Sequence, residues 1–431
     1  MKKAFVRILA LCLALMLSAC AKPDVKETPT EAPNQKNDAR ETLNVIICQY
    51  GPNTREWFLG SGMDGTSFVK KFEKENPDLR LNLEVVSWND VHTIVDTRIA
   101  NQQPPDILNT NVFANYVNEN LLLPASDYCP KDLLGDFFPV FLDQCVIDGE
   151  CWGVPDLASA RALFCNSEIL REVGVNAPKT WAELTDVCQA IQDYYDGTIY
   201  PLGMDLTTDE GQATFACYSW GNGGGFIKDG AWAVNADENV EAVEYVMSLI
   251  KSGFTNPNPA TQTRYDLQDM FAAGKLAMLI APNQLPKYIE DRGGTVKFEI
   301  VDLPANEGKK ASSVGVMDRL LVFRKDDVPD QQKRNEAIGK FLTFFFRPDN
   351  YIDWVRMEGF LPAVNSAVGS LVESDPSLAA WINVLNNCQF YPTAEKAWEE
   401  VKQGVIMAEQ RALSGADVRT ELDALQASLA G

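Results

Sequence analysis

The sequence predicts an α/β protein of two lobes, each a sheet flanked by helices, with a hinge between the lobes. Three observations lead there. From Leu43 to Leu108, apolar runs of strand length alternate with amphipathic helical stretches, the β-α-β-α-β order of a parallel sheet. A second alternation begins near Ala158. Between the two, one apolar run stops at Pro155 and another starts at Ala162, after the polar pause Asp156–Arg161, as a chain does when it leaves one lobe for another.

Leu43–Tyr50 is apolar nearly throughout, as a central parallel strand is. A polar loop to Gly65 carries Trp57 and Phe58. Thr66–Asn76 puts Phe68, Val69 and Phe72 on one helical face and is stopped by Pro77. Leu81, Leu83 and Val85 alternate along the second strand, Leu79–Val86. Asn89 caps a helix to Ile99 with the stripe Val91, Ile94, Val95 and Ile99. Pro105–Leu108 is the third strand. Ligands of open α/β sheets sit beyond the carboxyl ends of strands, here Gln49–Pro52 and Asn109–Phe113.

Asp148-Gly149 between short apolar runs is a hairpin signal, since Gly accepts positive φ without a Cβ clash. Pro155 ends that ladder because it has no N–H, and Ala162–Asn166 reads as a buried strand. Thr180-x-x-Glu183 is a capping box opening a helix to Tyr195. Helices follow at Thr208–Ser219, Asp237–Lys251 and Asp266–Ala273, with strands at Gly274–Ile280 and Phe298–Leu303. Ser312–Gly315 returns the chain to the first lobe, followed by a short strand Leu320–Phe323 and an apolar helix Gln331–Phe346. The helical tail from Ser377 is expected to wrap the second lobe. The expected divisions are 1–19 (signal), 20–42 (tether), 43–155 (first lobe), 156–312 (second lobe), 313–365 (return to the first) and 366–431 (C-terminal helices on the second).

A formal charge of −22 over 431 residues argues against nucleic acid, which needs a basic face, and against adsorption to anionic lipid. Met1–Cys20 has a basic start, an apolar run too short to span a bilayer, and small residues before Cys20. Ala21–Arg40, with three prolines, many charges and no aromatic residue, lacks the apolar surface to fold. Of the other cysteines, Cys145 and Cys151 flank the Asp148-Gly149 turn and are the pair best placed to bridge. Cys165 and Cys188 stand where core residues belong.

Catalytic and cofactor signals are sparse. His92 is the one histidine and no G-x-S-x-G elbow accompanies it; H-E-x-x-H and C-x-x-C are absent. Asp205-x-x-x-Asp209 lacks the Gly and Glu of a calcium loop, Gly274-Lys275 lacks the upstream Gly of a phosphate loop, and Gly221–Gly225 follows a helix. No cofactor and no metal are expected. With 60 acidic residues a carboxylate pair stays open, so a secreted carbohydrate-active enzyme is the alternative reading.

Several segments carry a family pattern: Asp148-Gly149, Trp152, Gly153-x-Pro155 and Asn166; Glu168-Ile-Leu, Val173-Gly-Val and Pro178–Leu184; Gln103–Leu108; Phe271-x-x-Gly-Lys-x-Ala-Met278; and Gly359-x-Leu-Pro362. In this order and spacing, across Leu43–Val368, the chain resembles the extracellular solute-binding proteins of ATP-driven importers, particularly the sugar-binding group. The resemblance implies a two-lobe periplasmic-binding-protein fold of type II that closes on a small-molecule solute, probed by the permease subunits of an ABC importer, without catalysis. Leu17-Ser18-Ala19-Cys20 resembles a bacterial lipobox, which implies lipidation at Cys20 and a monomer anchored to the extracytoplasmic face of the cell membrane. A lipoprotein that relays ligand occupancy to a sensor is a further alternative.

A sugar presents apolar C–H faces and many hydroxyls, so its site needs flat aromatic rings and planar polar side chains. Strand ends and crossings offer Trp57, Asn109, Asn111, Phe113, Asp156, Arg161, Trp220, Asn222, Asn283, Gln284, Asp318, Arg319 and Arg356. Asp156 and Arg161 fit an ion pair with each other equally well. Asn283 and Gln284 stand where many sugar-binding relatives carry an aromatic residue, which leaves another solute open.

Overall fold

The computed structural model describes residues 40–51, 53–60, 67–88, 90–208, 210–326, 328–375, 378–385 and 388–429. The expected signal, Cys20 and most of the tether lie outside the described residues, as do the capping Asn89 and Asp209. Among the described residues fourteen strands run in chain order: β1 (Glu41–Cys48), β2 (Leu79–Val86), β3 (Ile107–Thr110), β4 (Val146–Ile147), β5 (Glu150–Cys151), β6 (Val154–Asn166), β7 (Tyr200–Gly203), β8 (Ile227–Lys228), β9 (Ala231–Trp232), β10 (Leu276–Pro282), β11 (Phe298–Val301), β12 (Ser313–Val322), β13 (Leu361–Pro362) and β14 (Cys388–Phe390). The main sheet has the order β2-β1-β3-β12-β6-β10-β7. β1 pairs in parallel with both β2 and β3, as the alternating apolar runs predict. β12 is antiparallel to β3 and β6, and β10 is antiparallel to β6 and parallel to β7.

The crossing departs from the sequence expectation. No strand ends at Pro155; β6 is one continuous strand of 13 residues, buried throughout. Its first part pairs with β12 and its second with β10 and β11, so it is shared by the two halves of the molecule. Pro155 is accommodated because the β6–β12 register shifts between Met317 and Arg319, which removes the demand for its missing N–H. Asp156 and Arg161 are tolerated inside a buried strand because each finds a partner on a neighbouring element, Asn109 and Glu210. β12 is likewise continuous and joins the expected return crossing to the short strand after it.

Three apolar clusters fill the body. β1 sends Leu43, Val45 and Ile47 to one and Ile46 and Cys48 to another, the two-faced burial of a central strand. Phe58, Phe68, Phe341, Phe345 and Trp354 pack edge-on and stacked within the first. The third cluster gathers Leu163 and Cys165 of β6 with Trp181, Phe215, Val243 and Val405. The C-terminal run divides: Leu371, Trp381 and Leu385 join the first cluster, whereas Val401, Val405 and Leu422 join that of the second half. Among the described residues no helix is long and apolar enough to cross a membrane.

Two motif glycines have a physical reason. Gly359 ends the helix Pro348–Glu358 at φ 73°, a left-handed cap that turns Leu361–Pro362 onto β6. Gly153 has backbone against backbone: a Cβ there would meet Leu321 Cδ2 at 2.8 Å and the Leu320 carbonyl oxygen at 3.1 Å. Gly153→Ala is therefore expected to destabilise the protein by about 1–3 kcal/mol through overpacking. A urea unfolding curve superposable on that of the parent would contradict this.

Just before β3, Asp106 anchors the strand that leads to the site. Its carboxylate accepts from the Asn44 backbone N–H (2.7 Å), from Arg334 Nε (2.8 Å) and from Lys325 Nζ (2.8 Å). Burial would raise this carboxyl, but the two cations and the Asn44 hydrogen bond hold it below its ordinary value.

Candidate functional site

β6 and β12 carry opposed charges side by side, Asp156 and Arg161 on one, Asp318 and Arg319 on the other. Around the register shift the two acids meet the ends of β1 and β3. The Tyr50 hydroxyl donates to Asp318 Oδ2 (3.0 Å) and accepts from Asn109 Nδ2 (3.0 Å). Asn109 Nδ2 also donates to Asp156 Oδ2 (2.9 Å), and Asn109 Oδ1 accepts from the Cys48 N–H (3.1 Å). The Tyr351 hydroxyl donates to the Asp156 carbonyl (2.5 Å). Asp156 Oδ1 is buried without a hydrogen-bond partner among the described residues.

Burial, and then the neighbouring Asp318, push the Asp156 carboxyl well above the carboxylate range. Burial takes Asp318 up to about 6, against the Tyr50 hydrogen bond and the Arg319 charge, and takes Glu358 to about 7, with help from the Asp291 charge and against the Thr54 hydrogen bond. The charge on Asp318 adds to the cost of ionising Asp156, so of the two it is Asp156 that holds a proton to higher pH. This end of the site offers carboxylic O–H donors as well as acceptors.

Arg161 does not pair with Asp156. Its Nη2 reaches Glu210 Oε2 at 2.5 Å, and Arg264 Nη1 holds the other oxygen of that carboxylate at 3.0 Å. Burial opposes ionisation of Glu210, but the two arginines keep it below the usual range. A small cavity opens there, lined by Arg161, Asp205, Glu210, Thr214, Tyr218 and Arg264. Arg319 instead lies over the Phe113 ring (4.3 Å) and donates to the carbonyls of Asn111 and Gln144 and to Thr393 Oγ1. It borders a second small cavity, whose wall includes Asn111, Gln144, Gln212, Tyr391, Trp398 and Lys402. The Tyr391 ring stacks on Trp398 (5.2 Å, 22°), and its hydroxyl lies beside Arg161, so this side chain stands between the two cavities.

Of the residues expected from sequence, Asn109, Asn111, Phe113, Asp156, Arg161, Asp318 and Arg319 come together around these strands. Asn283 pins the crossing: its Nδ2 donates to the Gly359 carbonyl (2.9 Å) and its Oδ1 accepts from the Ala160 N–H (3.2 Å). Gln284, next to it, starts the helix Leu285–Asp291 and keeps a buried Oε1 without a partner among the described residues.

Trp57, Trp220, Asn222 and Arg356 lie elsewhere. Trp57 packs on Phe68 and Trp354 and donates to Asp353, because the apolar cluster offers its ring more contact than the loop does. Trp220 is buried behind Tyr391, against Phe226. Asn222 ties Glu238, Glu241 and Asn306 together. Arg356 is exposed and bonded to the Ser370 carbonyl. Tyr50, Glu210, Arg264, Tyr391 and Trp398 escaped the sequence reading. Tyr50 had a signal, an aromatic ring at a strand end already marked for ligand. Tyr391 is followed by a proline, which breaks the helical pattern of the tail.

Among the described residues no group of three or more His, Cys, Asp and Glu side chains is arranged to hold a metal ion. The arrangement suits recognition: buried charged and hydroxyl groups fixed by neighbours, with stacked aromatic rings at the cavity wall.

The family described as bacterial extracellular solute-binding protein matches residues 66–352. A protein of Brucella abortus (strain 2308) named as a binding protein is 28% identical over 370 residues, covering 84% of this chain and 86% of that one. The arabinooligosaccharide-binding protein of Bacillus subtilis (strain 168) is 27% identical over 292 residues, 64% of each chain. Among solved structures, maltose-bound MalE3 of T. maritima aligns with a TM-score of 0.76 at 19% identity, over 90% of this chain and 98% of that one. The Listeria monocytogenes substrate-binding protein Lmo0181, in complex with cycloalternan, aligns at 0.73 and 19% identity over 90% and 98%. Both share the two-lobe fold described above.

Proposed function

Since the chain belongs to the bacterial extracellular solute-binding proteins and is the solute-binding component of an ABC transporter, we propose that its solute is a carbohydrate, captured by closure of the two lobes and handed to the permease. The observation that carries this reading is the convergence on β6 and β12 of Arg161, Arg319, Asp156 and Asp318 with the Tyr391–Trp398 stack. Charged and planar polar groups supply direction to hydroxyls, and the rings supply area for a sugar face. Its relatives and structural neighbours support it, since they include an arabinooligosaccharide-binding protein and maltose- and cycloalternan-bound structures. Asn109, Asn111, Phe113, Asn283 and Gln284 complete the proposed contact set.

A ligand that touches both lobes favours the closed form, and that differential affinity drives the closure. Cys20 is the proposed lipid attachment point, holding a monomer at the extracytoplasmic face; the basic start, apolar run and small residues before Cys20 support it.

A thermal-shift screen over oligosaccharides, sugar alcohols, peptides and polyamines tests the solute class. A true ligand at 100 times its dissociation constant adds about 2.7 kcal/mol to stability. Stabilisation by an oligosaccharide is the expected result; stabilisation by peptides or polyamines alone overturns the carbohydrate reading. Labelled palmitate incorporated by the parent chain and lost in Cys20→Ala tests the anchor.

A further inference from the structure

The Asp148-Gly149 hairpin carries a pair of thiols that the binding site does not use. β4 and β5 pair Val146 with Cys151, and the Trp152 N–H donates to the Cys145 carbonyl at 2.9 Å. Cys145 and Cys151 are thus one step off a directly opposed pair. At standard strand spacing their Cα atoms are about 6 Å apart, inside the range of about 4.4–6.8 Å that a disulfide spans. On a regular strand, side chains one step off point to opposite faces. Cys145 does not belong to the strand: it closes the 3-10 turn Asp143–Cys145. That turn leaves its thiol near enough to Cys151 for each to influence the other's ionisation, while Cys145 Sγ donates to the Phe141 carbonyl (3.7 Å) and Cys151 Sγ to the Gly153 carbonyl (3.2 Å).

All eight cysteines of the described residues are free. Cys145 is buried and Cys151 is half-buried at the base of a hairpin whose tip, Asp148–Glu150, is exposed. An outside reagent can therefore reach one thiol, and the other waits behind it. Cys129 lies in the same neighbourhood and interacts with Cys151. Nothing among the described residues assembles these thiols into a metal centre, which leaves redox chemistry.

We propose that Cys145 and Cys151 are a redox pair that a small-molecule disulfide oxidises to an intramolecular disulfide, stapling the hairpin beside Arg319. In the first step the Cys151 thiolate attacks one sulfur of RS–SR; a Cys151–S–S–R bond forms and RS⁻ leaves. Cys145 then loses its proton and attacks the Cys151 sulfur, expelling the second RS⁻. Two electrons pass from the pair to the reagent, and the two protons released by the cysteines convert the leaving groups to two RSH. The order follows from access and from charge. The neighbouring Cys145 thiol, then the hydrogen bond with Gly153 and the Arg319 charge, bring the Cys151 thiol below its ordinary value, whereas burial pushes Cys145 up. Because the Gln144 carbonyl beside this pair accepts from Arg319 (3.2 Å), the bridge would fix one wall of the second cavity.

The test uses the full chain, purified reduced, exposed to oxidised glutathione, alkylated in denaturant and mapped by mass spectrometry. A cross-linked Cys145–Cys151 peptide with the remaining cysteines alkylated is the expected result, and Cys145→Ser should keep glutathione on Cys151. Alkylation of both cysteines in the parent chain, or a bridge from Cys151 to Cys129, overturns the assignment; neither outcome depends on a variant folding.

Discussion

Replacing Asp106 with alanine is expected to cost about 3–5 kcal/mol of stability, the range for removing one partner of a buried ion pair. Arg334 is almost wholly buried and would keep only its hydrogen bond to the Phe323 carbonyl, while Lys325 loses its carboxylate at 2.8 Å. The penalty is the uncompensated charge left behind, more than the lost attraction. Arg334→Met should cost less, because Lys325 and the Asn44 N–H still serve Asp106. The double variant should be more stable than the sum of the single losses implies, since it removes both charges of one pair. Chemical denaturation of the three variants reads this out; a loss under about 1 kcal/mol for Asp106→Ala would refute the anchoring role. Any such loss also reaches the site, because Asp106 sits directly before the strand that delivers Asn109.

The second large effect is a pH dependence held by Asp318. Its carboxyl titrates at about 6 in the folded protein against an ordinary value of 3.8, raised by burial. Between those values the folded protein keeps a proton that the unfolded chain has released. Unfolding is therefore increasingly favoured as pH rises through that window, and the contribution present below about 4 is gone above about 7. A shift of about two units corresponds to about 3 kcal/mol. Asp318→Asn keeps the shape and removes the titration, so its stability should fall less between pH 4 and pH 7 than that of the parent. Urea midpoints at several pH values compare the two, and parallel curves would rule out the proposed burden on Asp318. Asp156, raised further, adds to the same slope, so the variant flattens the profile without abolishing it.

The strands were legible where period carries the information. Leu81, Leu83 and Val85 alternate, the Leu43–Cys48 run is apolar on both faces, and both features survive folding unchanged. β6 was legible only in halves. A proline and charges within a buried strand contradict local propensity, and what permits them, the register shift opposite Pro155 and the partners Asn109 and Glu210, lies far away in the chain. The same distance hid the site's true pairings. Asp156 and Arg161 are close in sequence and invite pairing, yet the strand alternation and a better-placed Glu210 separate them. Trp57 and Trp220 show the converse: a large ring in a polar, glycine-rich stretch looks available, but a neighbouring cluster buries it more completely than a ligand would.

The position of β12 between β3 and β6 governs when the protein can fold at all. As the chain leaves the ribosome, β1, β2 and β3 emerge early, but the strand that closes the open edge of β3 is Ser313–Val322, translated long after. Until then β3 presents unpaired backbone groups, the kind of edge that recruits other chains. Two of the three apolar clusters also wait for helices beyond residue 330. Such late, non-local closure makes for slow folding and a long exposure of sticky intermediates. A nascent chain of this topology is thus kept pliable through most of its synthesis, and it acquires its native shape only once nearly all of it is in hand.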